Sequence, residues 1–214
     1  QGARVGSTPG PRPFMELATT PEEEALADAV LARAGVTPGT PFAVLNPGGN
    51  NDAKRWPAER FARVAGHLAD RHALRCLVNG APAEAAVVDA VVGGAAISNP
   101  ALRPAALHAL GGTLGSLKAI VRRARLMVTN DTGPRHIAAA FGVPLVSLFG
   151  PTAPRWTTIP TRPGAPEAVL VADPTLPAEE IADDHPERCR VERISVERVI
   201  EAVEGVLAGS TERA

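Results

Sequence analysis

The sequence predicts an α/β domain, a Rossmann-like parallel sheet covered by helices on both faces. Three observations predict this fold class. Short apolar segments alternate along the 214 residues with segments of helical periodicity, which is the order expected for βαβ units. The apolar segments are hydrophobic without a break, as is typical of parallel strands buried on both sides. Four of them end in loops rich in glycine, proline and asparagine.

The first twenty residues are separated from this pattern by their composition. They are rich in Gly, Pro, Ser and Thr, so we predict a linker or tail over residues 1–20 and a domain over residues 21–209. A helix is predicted to begin directly after the tail and to run to Gly35. Thr20 and Glu23 have the spacing of a capping box, which satisfies backbone N–H groups at a helix start.

The remaining elements follow from apolar periodicity. Strands are predicted at residues 42–45, 74–79, 126–129, 145–149 and 168–171, with a weaker one at 95–98. Further helices are predicted to begin at Pro57, Ala83, Thr113, His136 and Ser195. In the helix capped by Thr113, the face of Leu114, Leu117, Val121 and Ala124 is predicted to be buried. No clear pattern assigns residues 101–112.

Composition excludes several classes of protein. Hydrophobic residues make up 45% and charged residues 21% of the chain, which excludes an intrinsically disordered protein. The formal net charge is -1 and aromatic residues are 3%, so we expect no nucleic-acid partner. The longest nearly apolar stretch, residues 137–150, is too short and too interrupted to span a bilayer.

The cysteines and the N-terminus indicate a cytoplasmic protein. Cys76 and Cys189 are too few for the disulfide framework of a secreted domain, and a reduced cytosolic protein is the simpler interpretation, with a single bridge between them as the alternative. The first residues lack the apolar segment of a signal peptide. Cys76 lies in the middle of a predicted strand, and we expect it to be a small buried apolar side chain.

Several motifs of known chemistry are missing from the sequence. It has no G-x-G-x-x-G, G-x-x-x-x-G-K-[ST], G-x-S-x-G or H-E-x-x-H, which disfavours dehydrogenases, P-loop NTPases, α/β-hydrolases and zincins. One group of metal-binding residue types occurs, Asp183, Asp184, His185 and Cys189. Its spacing is incomplete for zinc, so we predict no metal site.

Four loops follow predicted strands, and their sequences are NPGG (46–49), NGAP (79–82), NDTGP (130–134) and FGP (149–151). In a parallel sheet these loops emerge at the carboxyl edge, where open α/β sheets bind ligands. Glycine permits close approach of the backbone, and helix N-termini there offer N–H groups to anions. A tight βα turn would explain any single loop, but four at one edge favour a ligand site.

The loop after the strand at 126–129 has the densest set of candidate residues. Thr132 or Asp131 is predicted to cap the next helix, Pro134 suits its first turn, and the amide of Gly133 stays open. This arrangement suits a phosphate, with Asp131 available for hydroxyl groups and His136 one turn further along. In the alternative interpretation, Asp131 serves only as the helix cap.

Two further charged residues are candidates for the same site. Lys54 follows a polar Gly/Asn loop and has Arg55 beside it, so it could contact phosphates as a point charge. A solvated surface lysine is the alternative. Glu84 lies in the first turn of a predicted helix and could accept hydrogen bonds from ribose hydroxyls. It could equally be an acid that the helix dipole favours.

Taken in order, these motifs resemble a known family. The chain contains N-P-G-G followed by K-R-W-P, then N-G-A-P-x-E, N-D-T-G-P-x-H-I-A-A-A-F-G-V-P and F-G-P-T. This order is similar to that of the ADP-heptose–lipopolysaccharide heptosyltransferases, glycosyltransferase family 9. The similarity covers about Phe42 to Pro154 and resembles the C-terminal, nucleotide-sugar-binding half of a GT-B fold. It implies an inverting, metal-independent transfer of a sugar from an ADP-sugar donor to a lipopolysaccharide-type or other glycan acceptor, without a further cofactor.

The resemblance also assigns roles to individual residues. It implies that Lys54 contacts the donor diphosphate and sugar and that Glu84 faces the ribose. The implied donor-binding set is Gly49, Asn50, Lys54, Glu84, Asp131, Thr132, Gly133 and His136. Gly49 and Asn50 occupy positions where some members have threonines facing the phosphates. Arg135 stands where members often have methionine or serine, and we expect it to alter the sugar pocket.

The resemblance further implies a partner half. The acceptor and the catalytic base are expected in an N-terminal GT-B domain that this chain does not contain, so no catalytic residue is assigned and the isolated chain is expected to be inactive. A glycolipid acceptor would bring the protein to the inner face of the cytoplasmic membrane. The alternatives are a non-catalytic nucleotide- or partner-binding module and another GT-B enzyme such as a nucleotide-sugar epimerase.

Overall fold

The computed structural model describes residues 14–160, 162, 164–177, 180 and 186–210. Its strands are β1 (Phe42–Asn46), β2 (Arg75–Val78), β3 (Ala105–Ala106), β4 (Leu126–Asn130), β5 (Leu145–Phe149) and β6 (Glu167–Val171). Its helices are α1 (Pro21–Arg33), α2 (Ala58–His72), α3 (Ala85–Gly94), α4 (Leu114–Arg123), α5 (Gly133–Phe141), α6 (Pro186–Cys189) and α7 (Val196–Ser210). The strands form one sheet in the order β3-β2-β1-β4-β5-β6, and every pair is parallel. The predicted Rossmann-like fold is confirmed.

Helices cover both faces of the sheet. Ala43 and Leu45 of β1 point into one apolar cluster with α2, α3 and α7, while Phe42 and Val44 point into another with α1, α4 and α5. Every residue of β1, β4 and β5 is buried. This explains why their sequences are apolar without alternation, because neither face of a central parallel strand meets water.

The main difference from the prediction lies at one edge of the sheet. Residues 95–98 form no strand, because the amide and hydroxyl of Ser98 bind the Asp70 carboxylate at 3.0 and 3.2 Å. The edge strand is β3, within the stretch that the sequence left unassigned, and it pairs with β2 at Leu77 and Ala105. A strand of two residues is too short to show a period of two.

Most predicted helix boundaries are confirmed to within a few residues. The capping box is formed, since Thr20 N donates to Glu23 at 3.0 Å and Glu23 N donates to Thr20 at 3.3 Å. The Ser195 hydroxyl accepts from the amide of Arg198 and caps α7. The prediction for Leu114 is wrong, because this side chain is 71% exposed. It is the first residue of α4, at the carboxyl edge, and lines a cavity there.

The other predictions about buried and terminal segments have mixed outcomes. Cys76 is buried within β2, and burial raises the pKa of its thiol to about 12. Cys189 is also buried, but residues 183–185 of the suggested metal-binding group lie outside the described residues. Residues 14–20 form no helix or strand, and residues 1–13 of the predicted tail are not described. Among the described helices, none combines the length and the apolar character that crossing a membrane requires.

Candidate functional site

A cavity of about 800 Å³ opens at the carboxyl edge of the sheet, between the loops that follow β1, β2 and β4. The chain reverses its strand order here, since β1 has β2 on one side and β4 on the other. Open α/β sheets bind ligands at such a switch point, and this volume is typical of a small-molecule site. Three of the four predicted loops converge here, while the FGP loop after β5 does not line the cavity.

All eight residues of the predicted donor-binding set line this cavity. They are Gly49, Asn50, Lys54, Glu84, Asp131, Thr132, Gly133 and His136. They come from three separate parts of the chain, and the parallel order of the strands brings them together. Their role in binding a donor stays a prediction.

Three asparagines connect the strand ends at this edge of the sheet, and two of them, Asn46 and Asn79, line the cavity. Asn79 Nδ2 donates to Asn46 Oδ1 at 2.6 Å, and Asn46 Nδ2 donates to the Thr132 hydroxyl at 2.9 Å. Asn130 Nδ2 donates to the carbonyl of Pro47 at 2.8 Å. These bonds fix the loops after β1, β2 and β4 relative to one another. The signal was visible in the sequence, since the three loops all begin with asparagine.

The N-terminus of α5 lacks the predicted cap. Thr132 occupies the capping position, but its hydroxyl donates to the Asn130 carbonyl and accepts from Asn46, and no side chain caps the helix. Asp131 is also not the cap, because its carboxylate accepts from the Thr157 hydroxyl and faces Lys54. An uncapped helix start, with Gly133 at its first position, presents backbone N–H groups to an anion.

Lys54 and Asp131 face each other across the cavity. The ammonium Nζ lies 3.7 Å from Asp131 Oδ2, and the two side chains are 23% and 6% exposed. Lys54 ends a short 3₁₀ helix, Asp52–Lys54, whose start is capped by the Asn51 side chain. The neighbouring Arg55 turns away from the cavity and binds the Gly49 carbonyl and Asp52. Lys54 is therefore the cation of this loop that lines the cavity.

Glu84 connects two of the loops. One carboxylate oxygen accepts from the Gly49 amide at 2.7 Å, and the other accepts from the Ala81 amide at 2.7 Å. The carboxylate therefore caps its own helical turn and also fixes the loop after β1. Glu84 is thus a first-turn acid, as one of the two interpretations expected, and it also lines the cavity. Its contact with ribose hydroxyls stays a prediction.

We expect Gly48→Ala to lower the free energy of unfolding by about 1–3 kcal/mol, the usual cost of overpacking. A Cβ at Gly48 would lie 2.2 Å from a carboxylate oxygen of Glu84, which would have to give up its two backbone bonds. Gly133→Ala is the matched control, because its Cβ meets nothing within 4 Å. Urea unfolding of both variants measures the difference, and equal stabilities would contradict the expectation.

Comparison with known proteins identifies the family of this fold and cavity. The family model of glycosyltransferase family 9 (heptosyltransferase) matches residues 7–185. The chain belongs to glycosyltransferase family 9. The resemblance seen in the loop sequences is thereby confirmed.

Individual proteins are similar to this chain in sequence or in fold. Lipopolysaccharide heptosyltransferase 1 of Pseudomonas aeruginosa is 31% identical over 147 residues, which cover 67% of this chain and 39% of the relative. The structure of a glycosyl transferase family 9 protein from Veillonella parvula matches with a TM-score of 0.74 and 28% identity, over 90% of this chain and 53% of that one. The structure of E. coli ADP-heptose lps heptosyltransferase II matches with a TM-score of 0.72 and 22% identity, over 95% of this chain and 56% of that one. The chain spans about half the length of these proteins.

In this family 9 chain, Arg135 does not lie where we expected it. We expected it to alter the sugar pocket, but its side chain is 2% exposed and lies beneath α5, away from the cavity lining. Its Nε lies 2.8 Å from the Glu167 carboxylate, and its guanidinium lies 4.7 Å from the centre of the Phe149 ring. Its Nη1 is 3.8 Å from Asp131 Oδ1, so Asp131 lies between two cations, Lys54 and Arg135.

The other end of the cavity in this family 9 domain is apolar. Leu107, Leu114 and Leu117 line it together with His108. The Nδ1 atom of His108 is buried without a hydrogen-bond partner among the described residues. The sequence predicts Leu114 and Leu117 on a buried helix face, while Leu107 and His108 lie in the stretch that no pattern assigns. The cavity thus joins a charged end to an apolar end.

Proposed function

We propose that the chain is the donor-binding half of an inverting glycosyltransferase that uses an ADP-sugar, with ADP-heptose as the favoured donor. The observation that carries this proposal is the pairing of Lys54 with the uncapped N-terminus of α5 in a cavity at the switch point of the sheet. Membership of family 9 supports it, as does the name of the E. coli relative, an ADP-heptose transferase.

The charged end of the cavity suits a diphosphate. Lys54 is 23% exposed and can turn from Asp131 to a phosphate oxygen, because 3.7 Å is too long for a hydrogen bond. The amides at the start of α5 add partial positive charge on the same side. Asp131 would then be left to orient sugar hydroxyls, with His136 beside it. These groups offset the diphosphate charge from the protein side, so we propose binding without a metal or other cofactor.

The apolar end suits the nucleobase. Leu107, Leu114 and Leu117 offer the apolar contact that a flat base needs, and the buried Nδ1 of His108 gains a partner if the base supplies one. Leu114 is 71% exposed, and a bound base would cover part of it. Glu84 lies on the lining of the same cavity and is proposed to face the ribose.

Calorimetry of the chain with ADP, UDP and GDP tests this proposal. We expect ADP to bind most tightly and its affinity to be the same with EDTA as with magnesium. No ADP binding, or equal binding of all three nucleotides, would contradict an ADP-sugar site. Affinity that EDTA removes and magnesium restores would contradict a site that works without metal.

The transfer step is proposed to need a second domain. Deprotonation of an acceptor hydroxyl requires a base within hydrogen-bond reach, and Asp131 lies between Lys54 and Arg135 on the donor side. We therefore propose that an N-terminal GT-B half supplies the base and the glycan or glycolipid acceptor site. Such an acceptor would place the protein at the inner face of the cytoplasmic membrane.

We expect the 214-residue chain to transfer no sugar by itself. The measurement is sugar transfer from ADP-heptose to a lipopolysaccharide-core acceptor, by the chain alone and with a complementing N-terminal half. Turnover by the chain alone would contradict the expectation and make Asp131 the first candidate base. ADP binding without turnover in the complemented mixture would favour the alternative of a non-catalytic nucleotide-binding module. The family match favours a transferase over an epimerase.

A further inference from the structure

A second cluster of functional side chains lies between α2 and α7. His67 Nε2 and His72 Nε2 lie 2.6 and 2.7 Å from the same oxygen, Oε1 of Glu204. The three atoms all lie within 4.8 Å of one another. The two imidazoles are 19% and 25% exposed and the glutamate is 47% exposed, so the cluster is held by the protein and still reachable from solvent.

The cluster is remote from the donor cavity. α2 begins close to the carboxyl edge, where the Trp56 amide binds the Asn130 side chain. It runs back across the sheet, and His72 lies three residues before the first residue of β2, at the amino edge. Arg63 lies one helical turn before His67 on α2, nearer the cavity, and pairs there with Glu197 of α7. The proposed function leaves the cluster without a role.

The fold positions all three side chains. His67 lies within α2 and His72 is its last residue, and the two rings meet edge to face with their centres 5.7 Å apart. Glu204 projects from α7, whose buried face holds Val199 and Val203 against the sheet. The two rings of α2 therefore converge on one carboxylate of α7 because the two helices pack together.

The chemistry of the donor set is selective. Two imidazole nitrogens and one carboxylate oxygen are ligands of zinc, whereas magnesium and calcium prefer oxygen alone. Zinc holds such ligands at about 2.0–2.1 Å in a tetrahedron, which separates ligand atoms by about 3.3 Å. Glu204 Oε1 would have to withdraw by roughly 0.7 Å from each nitrogen, and a half-exposed glutamate side chain can move that far.

The charge around the cluster is compatible with a cation. Asp70 and Arg71 line the same hollow and offset each other, and Ser98 binds the Asp70 carboxylate. Glu204 then supplies one net negative charge, and the histidines bind a metal as neutral rings.

We propose that His67, His72 and Glu204 form a zinc site that ties the C-terminal helix α7 to α2. Each histidine binds through Nε2 and Glu204 through one oxygen, which leaves a fourth position for water. Bound zinc stabilises the folded chain, because the three ligands converge only when α7 is packed on α2. The sequence prediction of no metal site was made for a different group, near Cys189. The residues of the present cluster are up to 137 positions apart, so no local spacing points to it.

Zinc titration of the metal-free 214-residue chain tests the site. We expect one zinc to bind at this cluster and to raise the melting temperature by about 5 °C or more at a concentration one hundred times its Kd. His72→Gln and Glu204→Gln should each weaken binding by at least about tenfold, as even the loss of outer-shell partners does. Glu197→Gln is the control on α7, because Glu197 pairs with Arg63 of α2 outside the cluster, and it should leave binding unchanged.

Cobalt provides a readout that needs no variant. A chain loaded with Co²⁺ should show the visible absorption of a four-coordinate site with nitrogen and oxygen ligands, and zinc should abolish it. No saturable zinc binding by the unmodified chain would overturn the proposal. Binding that persists unchanged in both His72→Gln and Glu204→Gln would overturn it too, since the metal would then lie elsewhere. ADP calorimetry is independent of all these outcomes, because the cavity lies at the other edge of the sheet.

Discussion

Arg135→Met should lower the free energy of unfolding by about 3–5 kcal/mol, the cost of removing one partner of a buried ion pair. The Glu167 carboxylate is 8% exposed and, among the described residues, would keep the hydrogen bond from the Ser147 hydroxyl, 2.7 Å away. The backbone carbonyl of Thr157 would lose its 2.7 Å bond from Arg135 as well. Chemical unfolding followed by circular dichroism measures the change.

Two further variants separate buried charge from lost volume. Arg135→Met combined with Glu167→Gln should recover part of the stability, because no unpaired charge then stays buried. Arg63→Ala should cost less than about 1 kcal/mol, since Arg63 and Glu197 form an exposed pair. If Arg135→Met were as mild as Arg63→Ala, the ion pair would contribute little to the fold.

Lys54→Ala should weaken ADP binding by roughly 10- to 100-fold, the range expected when a hydrogen bond to a charged group is lost. Lys54 is the cation that the loop after β1 presents to the cavity, and its 3.7 Å contact with Asp131 is easily exchanged for a phosphate. The free energy of unfolding should change little, since the side chain is partly exposed. Calorimetry with ADP measures the affinity.

Lys118→Ala is the matched control for this loss. Lys118 pairs with Glu23 at 2.7 Å on the surface formed by α4 and α1, and it does not line the cavity. Its removal should leave ADP affinity unchanged. Equal affinities of Lys54→Ala and the unmodified chain would show that Lys54 is an ordinary surface lysine.

Much of the fold was predictable because its signals are local. β1, β4 and β5 are buried on both faces, so their apolar runs have no polar interruption. Capping groups at Thr20, Thr113 and Ser195 act within three residues of themselves, and all three are confirmed. The cavity was predictable for a related reason, since parallel strands bring the loops at their carboxyl ends to one edge.

The features that were missed depend on distant parts of the chain. Arg135 is buried because Glu167, 32 residues later on β6, accepts its hydrogen bond. β3 exists because β2 offers it an edge, although its two residues show no pattern. Leu114 looked like a core residue from its spacing, but the first turn of α4 projects into the cavity. Pairings of this kind leave no periodic trace in the sequence.

The most direct test of the account is an NMR titration of the ¹⁵N-labelled chain with ADP. We expect the largest amide shifts at four residues that line the charged end of the cavity, Gly48, Gly49, Thr132 and Gly133. Shifts should also occur at His108 and Leu114, at the apolar end. An absence of shifts at high ADP, or shifts concentrated around His67 and His72 at the opposite edge of the sheet, would contradict a donor site at the switch point.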